Sequence, residues 1–252
     1  MTRSLSCSTK GFTLIEMAVV LLILGTLLGG LLGAITQVTE NTRRTTARGE
    51  LERIERALYG YAQAYGRLPC PAISTSNGLE DRAGGANSDC TAQHGFVPNA
   101  TLNLSGRIND DILLLDPWAN PYRYSVSPNG TESFTSSTEI STVFDSGAID
   151  PNEMLTICED AAPCAAAATI SEVVPAIIFS MGADWAITTS AAELENAGEG
   201  GTTDNGSGQA YAIANDDTFI DSEYAEDLYD DILLWMSPYV LYGYLIEAGR
   251  LP

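Results

Sequence analysis

Basic residues are what this chain has least of. Lys10 is the only lysine among 252 residues and His94 the only histidine. In all, 12 basic side chains stand against 33 acidic ones, and from Arg67 onward five arginines face 28 acids. Such a region repels phosphate backbones, because affinity for nucleic acid comes from lysine and arginine displacing counterions. Nucleic acid is therefore excluded as a partner. The acidity suits divalent cations, basic partners or simple solubility in salt, and solubility is the plainest explanation. Catalytic signatures are missing too. There is no nucleophile–base pair, phosphate-binding loop, dinucleotide fingerprint or metal-ligand cluster. A lone histidine is far more often structural than a ligand or a base. Asp110-Asp111 and Asp230-Asp231 are adjacent acids that point to different faces of a strand or helix, so neither makes a paired general acid and base. No enzymatic activity is expected, and no cofactor is required.

Charge is also missing from Met17 to Ile35, and that run is long enough to cross a bilayer, which needs about 20 residues. Directly before it stands Lys10-Gly11-Phe12-Thr13-Leu14-Ile15-Glu16. This is a polar leader, a small residue before an aromatic one, and a single acid at the edge of the run. A secretory signal peptide places its apolar core before the cleavage site. Here the cleavage site precedes the core, so the core survives processing. The leader holds Arg3 and Lys10 and no acid, which favours a cytoplasmic N-terminus and an exported C-terminal domain.

The arrangement resembles the N-terminus of type IV prepilins and of type II secretion pseudopilins. The resemblance implies that a prepilin peptidase cuts after Gly11 and that the new N-terminal Phe12 is methylated. Glu16 becomes the fifth mature residue, where the family carries its assembly glutamate. An acid inside a membrane helix costs about 2.5–3.5 kcal/mol on insertion scales, so it normally has a partner. Glu16 can snorkel to the interface, or, as the resemblance implies, pair with the α-amine of Phe12 on a neighbouring subunit. The implied partners are the peptidase, other pilin or pseudopilin subunits and an inner-membrane assembly platform. The implied location is the bacterial inner membrane, single-pass, with a periplasmic C-terminal domain that can enter a surface filament.

The apolar run carries Gly25, Gly29, Gly30 and Gly33. Gly25/Gly29 and Gly29/Gly33 are small-xxx-small pairs that let helices approach closely. The same glycines can loosen a helix that has no proline in this stretch, or simply be tolerated facing lipid. Beyond the run, residues 40–56 hold five arginines and four glutamates, and Leu51, Ile54, Leu58, Tyr61 and Tyr65 recur at spacings of three and four. That stripe predicts an amphipathic continuation of the helix to Tyr65, with Gly66 as its C-cap and Pro69 beyond. The expected organisation is a leader over residues 1–11, a transmembrane and assembly helix over 12–38, its amphipathic continuation over 39–66 and a globular domain over 67–252.

Removing the leader removes Cys7 and leaves Cys70, Cys90, Cys158 and Cys164, an even set that reads as disulfides in an exported domain. Three connectivities exist. Cys70–Cys90 with Cys158–Cys164 closes the shortest loops and is preferred. Residues 66–110 are expected to be mostly loop. Asp116-Pro117-Trp118-Ala119-Asn120-Pro121-Tyr122 resembles the Asp-Pro-Trp-Gly-Asn-Pro-Tyr phrase of major pseudopilins, with Ala119 in place of glycine. Its residues predict a rigid turn feeding a strand with Tyr122 and Tyr124 on one face. Val173–Phe179 and Trp185–Thr188 read as short buried strands. Residues 195–209 form a glycine-rich acidic loop. Asp204, Asp216, Asp217 and Asp221 are calcium candidates, although the EF-hand spacing is missing and a solvated loop is the alternative.

Tyr224–Gly249 reads as one or two helices broken at Ser237-Pro238. Its aromatic residues fit core packing or a docking surface. Leu58-Tyr59-Gly60-Tyr61 before Gly66-Arg67-Leu68-Pro69 is echoed by Leu241-Tyr242-Gly243-Tyr244 before Gly249-Arg250-Leu251-Pro252, which repeated glycine-capped helix ends explain. The expected fold is α+β: a long N-terminal spine helix on a small antiparallel sheet, with disulfide-fixed loops and a C-terminal helical segment. The expected function is that of a minor pilin or pseudopilin, and the alternative is a tip adhesin that uses the acidic loops with calcium.

Overall fold

The computed structural model describes residues 11–85, 88–127, 134–145, 154–160, 168–183, 190–197, 217–225 and 228–251, the side chains of 27–36 excepted. Two compact units divide it, Met1–Arg43 and Arg44–Pro252. Helix α1 (Leu14–Tyr65) supplies the described structure of the first unit apart from residues 11–13 and opens the second. In the first unit its described apolar side chains are exposed: Leu14 is 90% exposed and Val38 65%. The hydroxyl of Thr26 is satisfied by the Leu22 and Ile23 carbonyls of its own helix. Among the described residues no helix is long and apolar enough to cross a membrane. The uncharged run Met17 to Ile35 falls in part on residues 27–36, and Gly29, Gly30 and Gly33 lie there too.

In the second unit, α1 buries Leu51, Ile54 and Leu58 completely and Tyr61 nearly so, as the stripe predicts, and Ala47 and Ala62 join them. Tyr65 departs from it. Its side chain is 58% exposed and lies against Tyr61 with ring centroids 4.4 Å apart, outside the core. Ala47, Leu51, Ile54, Leu58 and Ala62 pack in one cluster with Tyr122, Tyr124, Val126, Ile178 and Ile232. These residues belong to a four-stranded sheet of β1 (His94–Phe96), β2 (Arg123–Val126), β5 (Ala176–Ser180) and β7 (Ile232–Trp235), in the order β1-β2-β5-β7, or lie at its margin. Every pairing in it is antiparallel, with Tyr124 opposite Ile178 and Ile178 opposite Leu234. Alternate side chains point away from α1. Ile177, Phe179 and Leu233 form a second cluster with Leu155, Ile157, Val174 and Phe219.

Those partners come from a second sheet that the sequence did not lead us to expect. It comprises β3 (Leu155–Cys158), β4 (Thr169–Val174) and β6 (Thr218–Ile220) in the order β4-β3-β6, with β3 and β6 parallel. The unit is therefore layered helix, sheet, sheet. Strand β5 is the middle of the sandwich and is buried at all five positions, which is why its sequence is apolar without alternation. Short helices α2 (Ile140–Asp145) and α3 (Ala191–Asn196) complete the middle of the chain.

Two strand and helix expectations are corrected. Val173–Phe179 is not one strand but the end of β4 and most of β5, separated at Pro175, which has no N–H for a ladder. The first half of Tyr224–Gly249 is not helical. Ile232–Trp235 pairs with β5 and uses both faces, so strand pairing overrides any helical tendency. Helix α4 (Pro238–Glu247) starts with Ser237 at the N-cap and proline in its first turn, as expected. Trp185–Thr188 lies outside the described residues.

Helices α1 and α4 both stop at a left-handed glycine, Gly66 (φ 71°) and Gly249 (φ 65°). The arginine after each glycine then does different work. Arg250 donates to the carbonyls of Gln63 and Ala64, capping the last turn of α1. Arg67 turns inward to Glu80. That carboxylate accepts two bonds from Arg67 (2.9 Å each), one from Arg82 (2.9 Å), one from the Tyr61 hydroxyl (3.0 Å) and one from the Cys70 N–H (3.1 Å). Arg82 also donates to the Ser88 and Thr135 carbonyls, so one ion cluster ties the end of α1, the following loop and a distant turn together.

The Asp116 phrase forms the expected turn. The Asp116 carboxylate accepts from the N–H groups of Trp118 (2.9 Å) and Asn120 (2.8 Å) and from Ser180 (2.5 Å). Asn120 donates to the Gly182 carbonyl. Ala119 sits at φ 77°, a left-handed conformation that the related glycine adopts without strain.

Two predictions follow from these contacts. Ala119→Gly should raise thermal stability by about 1 kcal/mol, the cost of holding an L-residue left-handed; an unchanged or lower melting temperature of the detergent-solubilised chain would contradict it. Burial alone would raise the Glu80 carboxyl, but the Arg67 bonds, the Cys70 N–H and the guanidinium charges of Arg67 and Arg82 outweigh it and hold the pKa at about 2. A depressed carboxyl stabilises the fold above its unfolded value of 4.5 and loses that contribution as pH falls toward 2. Glu80→Gln should therefore cost about 3 kcal/mol at pH 7, and the variant should lose less stability than the parent between pH 4.5 and 2 in urea titrations.

Candidate functional site

Thr13 opens helix α1. Its carbonyl accepts from the Met17 N–H at 3.2 Å, and its hydroxyl accepts from the Glu16 N–H at 3.3 Å. Thr13 is thus the N-cap and Glu16 the third helical residue, the spacing of a capping box. A carboxylate at that point also meets the positive end of the helix dipole. The signal was present in the sequence as Thr13-Leu14-Ile15-Glu16 ahead of an apolar run, and reading Glu16 only as an assembly residue overlooks it.

Gly11 and Phe12 precede the cap and are exposed outside the helix. Nothing stands within 4 Å of where a Cβ on Gly11 would lie, and Phe12 is 77% exposed. The bond between them therefore lies just ahead of the first helical hydrogen bond, in the kind of open backbone that proteases select. Within six residues the site holds an accessible peptide bond, a capped helix start and one acid, followed by an uncovered apolar surface.

Residues 7–32 match the family described as the prokaryotic N-terminal methylation motif. The chain carries a prepilin-type signal. The motif includes Gly11, Phe12 and Glu16 and is consistent with a type IV prepilin-like or pseudopilin-like protein. It implies processing by prepilin peptidase and assembly with other pilin subunits, and proteins carrying it are structural subunits. It covers 26 of 252 residues and ends before the layered unit begins at Arg44. No curated protein and no solved structure matches the chain.

The remaining candidates are distributed as follows. Cys70 and Cys90 form a disulfide with Cα atoms 5.4 Å apart. Cys158 is disulfide-bonded as well, and its expected partner, Cys164, lies outside the described residues. Of the calcium candidates, Asp204 and Asp216 lie outside the described residues. Asp217 accepts from Gln93 at 2.6 Å, and Asp221 faces Arg48. These two stand at opposite ends of β6, about 13 Å apart along an extended strand, too far to share one ion. Among the described residues no group of three or more acids, histidines or cysteines is placed to hold a metal. His94 is buried with Nδ1 2.9 Å from the Ser125 hydroxyl, and burial lowers its pKa to about 4. It is a neutral core residue at neutral pH.

Thr13→Ala removes the acceptor of the Glu16 N–H. A lost cap costs about 1 kcal/mol, so amide exchange at Glu16 in detergent should quicken about fivefold; exchange at the parent rate would show that the cap bond does not hold the helix start.

Proposed function

We propose that this chain is a minor structural subunit, a minor pilin or a pseudopilin, of a type IV pilus-like or type II secretion filament. It is cut between Gly11 and Phe12, held in the inner membrane by the apolar segment of α1, and extracted from there into a filament through that same segment. The observation that carries this reading is the contrast along α1. From Leu14 to Val38 the described apolar side chains are exposed, whereas the main core cluster of the second unit, among the described residues, draws on α1 only from Ala47 on. Uncovered apolar surface of that extent demands a second environment, either lipid or the helices of neighbouring subunits.

Glu16 is the natural registration point in such an assembly. An ionised acid leaving the membrane edge for a packed helix core needs a counter-charge, and the α-amine created at Phe12 by cleavage supplies one on the next subunit. The large domain, with two sheets and several loops, crowds a filament core and favours a minor position, at or near the tip. The Asp116–Tyr122 turn favours a pseudopilin.

Three strains test the proposal, each expressing one form of the chain in a deletion background. Gly11→Val should leave only the uncleaved precursor. Glu16→Ala should be cleaved and remain in the membrane fraction but fall at least tenfold in sheared or cross-linked filaments. The deletion itself should remove surface fibres if the subunit is a pilin, or trap exoproteins in the periplasm if it is a pseudopilin. Normal fibres and normal secretion, with Glu16→Ala incorporated like the parent, would reject both forms of the reading and leave calcium-dependent adhesion through the acidic loops as the alternative to pursue.

A further inference from the structure

The Cys70–Cys90 bond is buried. Cys70 is 0% and Cys90 6% exposed, and both belong to the cluster that contains Leu58, Ala62 and Tyr124. A disulfide carrier reaches neither sulfur once α1 has closed over them, because exchange requires direct attack of a thiolate on a disulfide sulfur. Oxidation must therefore precede closure. At that stage the two cysteines are 20 residues apart on an open chain, and bringing them together costs loop-closure entropy.

The segment between them holds a device that offsets this cost. Of the five hydrogen bonds to the Glu80 carboxylate, four come from residues 67–82: two from Arg67, one from the Cys70 N–H and one from Arg82. Only the Tyr61 bond comes from α1. The backbone agrees with the side chains. Asp81 N–H donates to the Pro71 carbonyl, Thr91 N–H to Asp81 and Ala83 N–H to Asp89, while Arg82 bridges directly to Cys90. Residues 80–83 thus lie between the two cysteine-bearing segments, with Glu80 bonded to Cys70 and Arg82 paired with Cys90.

We propose that Glu80, clamped by Arg67 and Arg82, is a positioning residue that assembles the Cys70 and Cys90 thiols for oxidation before the core forms, making the unfolded domain a directed substrate for a disulfide carrier. One thiolate attacks the carrier disulfide, forming a mixed disulfide and releasing one carrier thiol. The second cysteine thiolate then displaces the other carrier sulfur. Two protein thiols lose two protons and two electrons, and the carrier leaves as its dithiol. This step is independent of the filament role, since it needs only the charge cluster and an oxidising compartment.

The test separates local positioning from global folding. Leu58→Asp places a charge in the core and prevents α1 from closing, leaving residues 66–91 unchanged. Reduced full-length chain carrying Leu58→Asp, with and without Glu80→Gln, is equilibrated with glutathione and glutathione disulfide at fixed ratios. It is then quenched by alkylation, and the Cys70–Cys90 peptide is quantified by mass. The effective concentration of the pair should fall at least fivefold when Glu80→Gln is added to Leu58→Asp, and Tyr239→Ala, at an exposed residue of α4, should leave it unchanged. A fall of less than fivefold, or an equal fall with Tyr239→Ala, would overturn the proposal and assign the pairing of the cysteines to the folded core alone.

Discussion

The layered unit depends on the burial of one stripe of α1, running from Ala47 through Leu51, Ile54 and Leu58 to Ala62, against the four-stranded sheet. Burying each large aliphatic side chain contributes about 1.5–3 kcal/mol, and the stripe also fixes which face of the sheet is inner. Once Tyr122, Tyr124 and Ile178 face the helix, Ile177, Phe179 and Leu233 must face away. That leaves a second apolar surface which β3, β4 and β6 cover. The second sheet is thus a consequence of the apolar character of β5 and β7 on both faces. Strand β7, with Ile232 and Leu233 in opposite clusters, could not serve this sandwich as a helix.

The end of α1 is held by charges drawn from elsewhere in an acidic chain. Arg250 caps its last carbonyls, and Arg67, directly after the helix, is locked to Glu80 together with Arg82. A buried ion pair gains little net stability over an apolar replacement, yet removing one partner is costly because the other charge is left stranded. In a region with five arginines, placing two around one glutamate beside a disulfide defines a unique geometry for the loop after the helix. The Asp116 turn works by a different route. Burial raises the Asp116 pKa to about 6 against the Ser180 and backbone hydrogen bonds, so the turn holds a carboxyl that gains a proton below that pH. As pH falls through 6 this stabilises the fold, since the folded state binds the proton more tightly, while His94, whose pKa is lowered, opposes it over the same range.

The N-terminal site is built on a shorter scale. Thr13 ends the open backbone and starts the helix, and Glu16 falls on the first turn because three residues separate a cap from its box partner. The exposed Gly11–Phe12 bond and the acid are therefore set a fixed number of residues either side of the helix start. This local construction lets a 26-residue motif be recognised without any likeness in the rest of the chain.

Much of this was legible in the residues themselves. The N-terminal methylation motif, the uncharged run, the stripe from Leu51 to Leu58, the glycine stops at Gly66 and Gly249, the Asp116 turn and the Cys70–Cys90 pairing all rest on interactions within a few residues or on short loop closure. What the sequence left open involves partners far apart in the chain. The strand identity of Ile232–Trp235 depends on β5, more than 50 residues earlier. The parallel contact of β3 with β6 joins segments 60 residues apart. The exposure of Tyr65 and the meeting of Arg67, Glu80, Arg82 and Thr135 follow from how the layers close. The calcium candidates Asp217 and Asp221 are near in sequence yet are separated by the strand between them. Local spacing settles hydrogen bonds and periodicity along one element, whereas the choice of which faces meet is a property of the whole packed unit, and there only the tertiary structure decided.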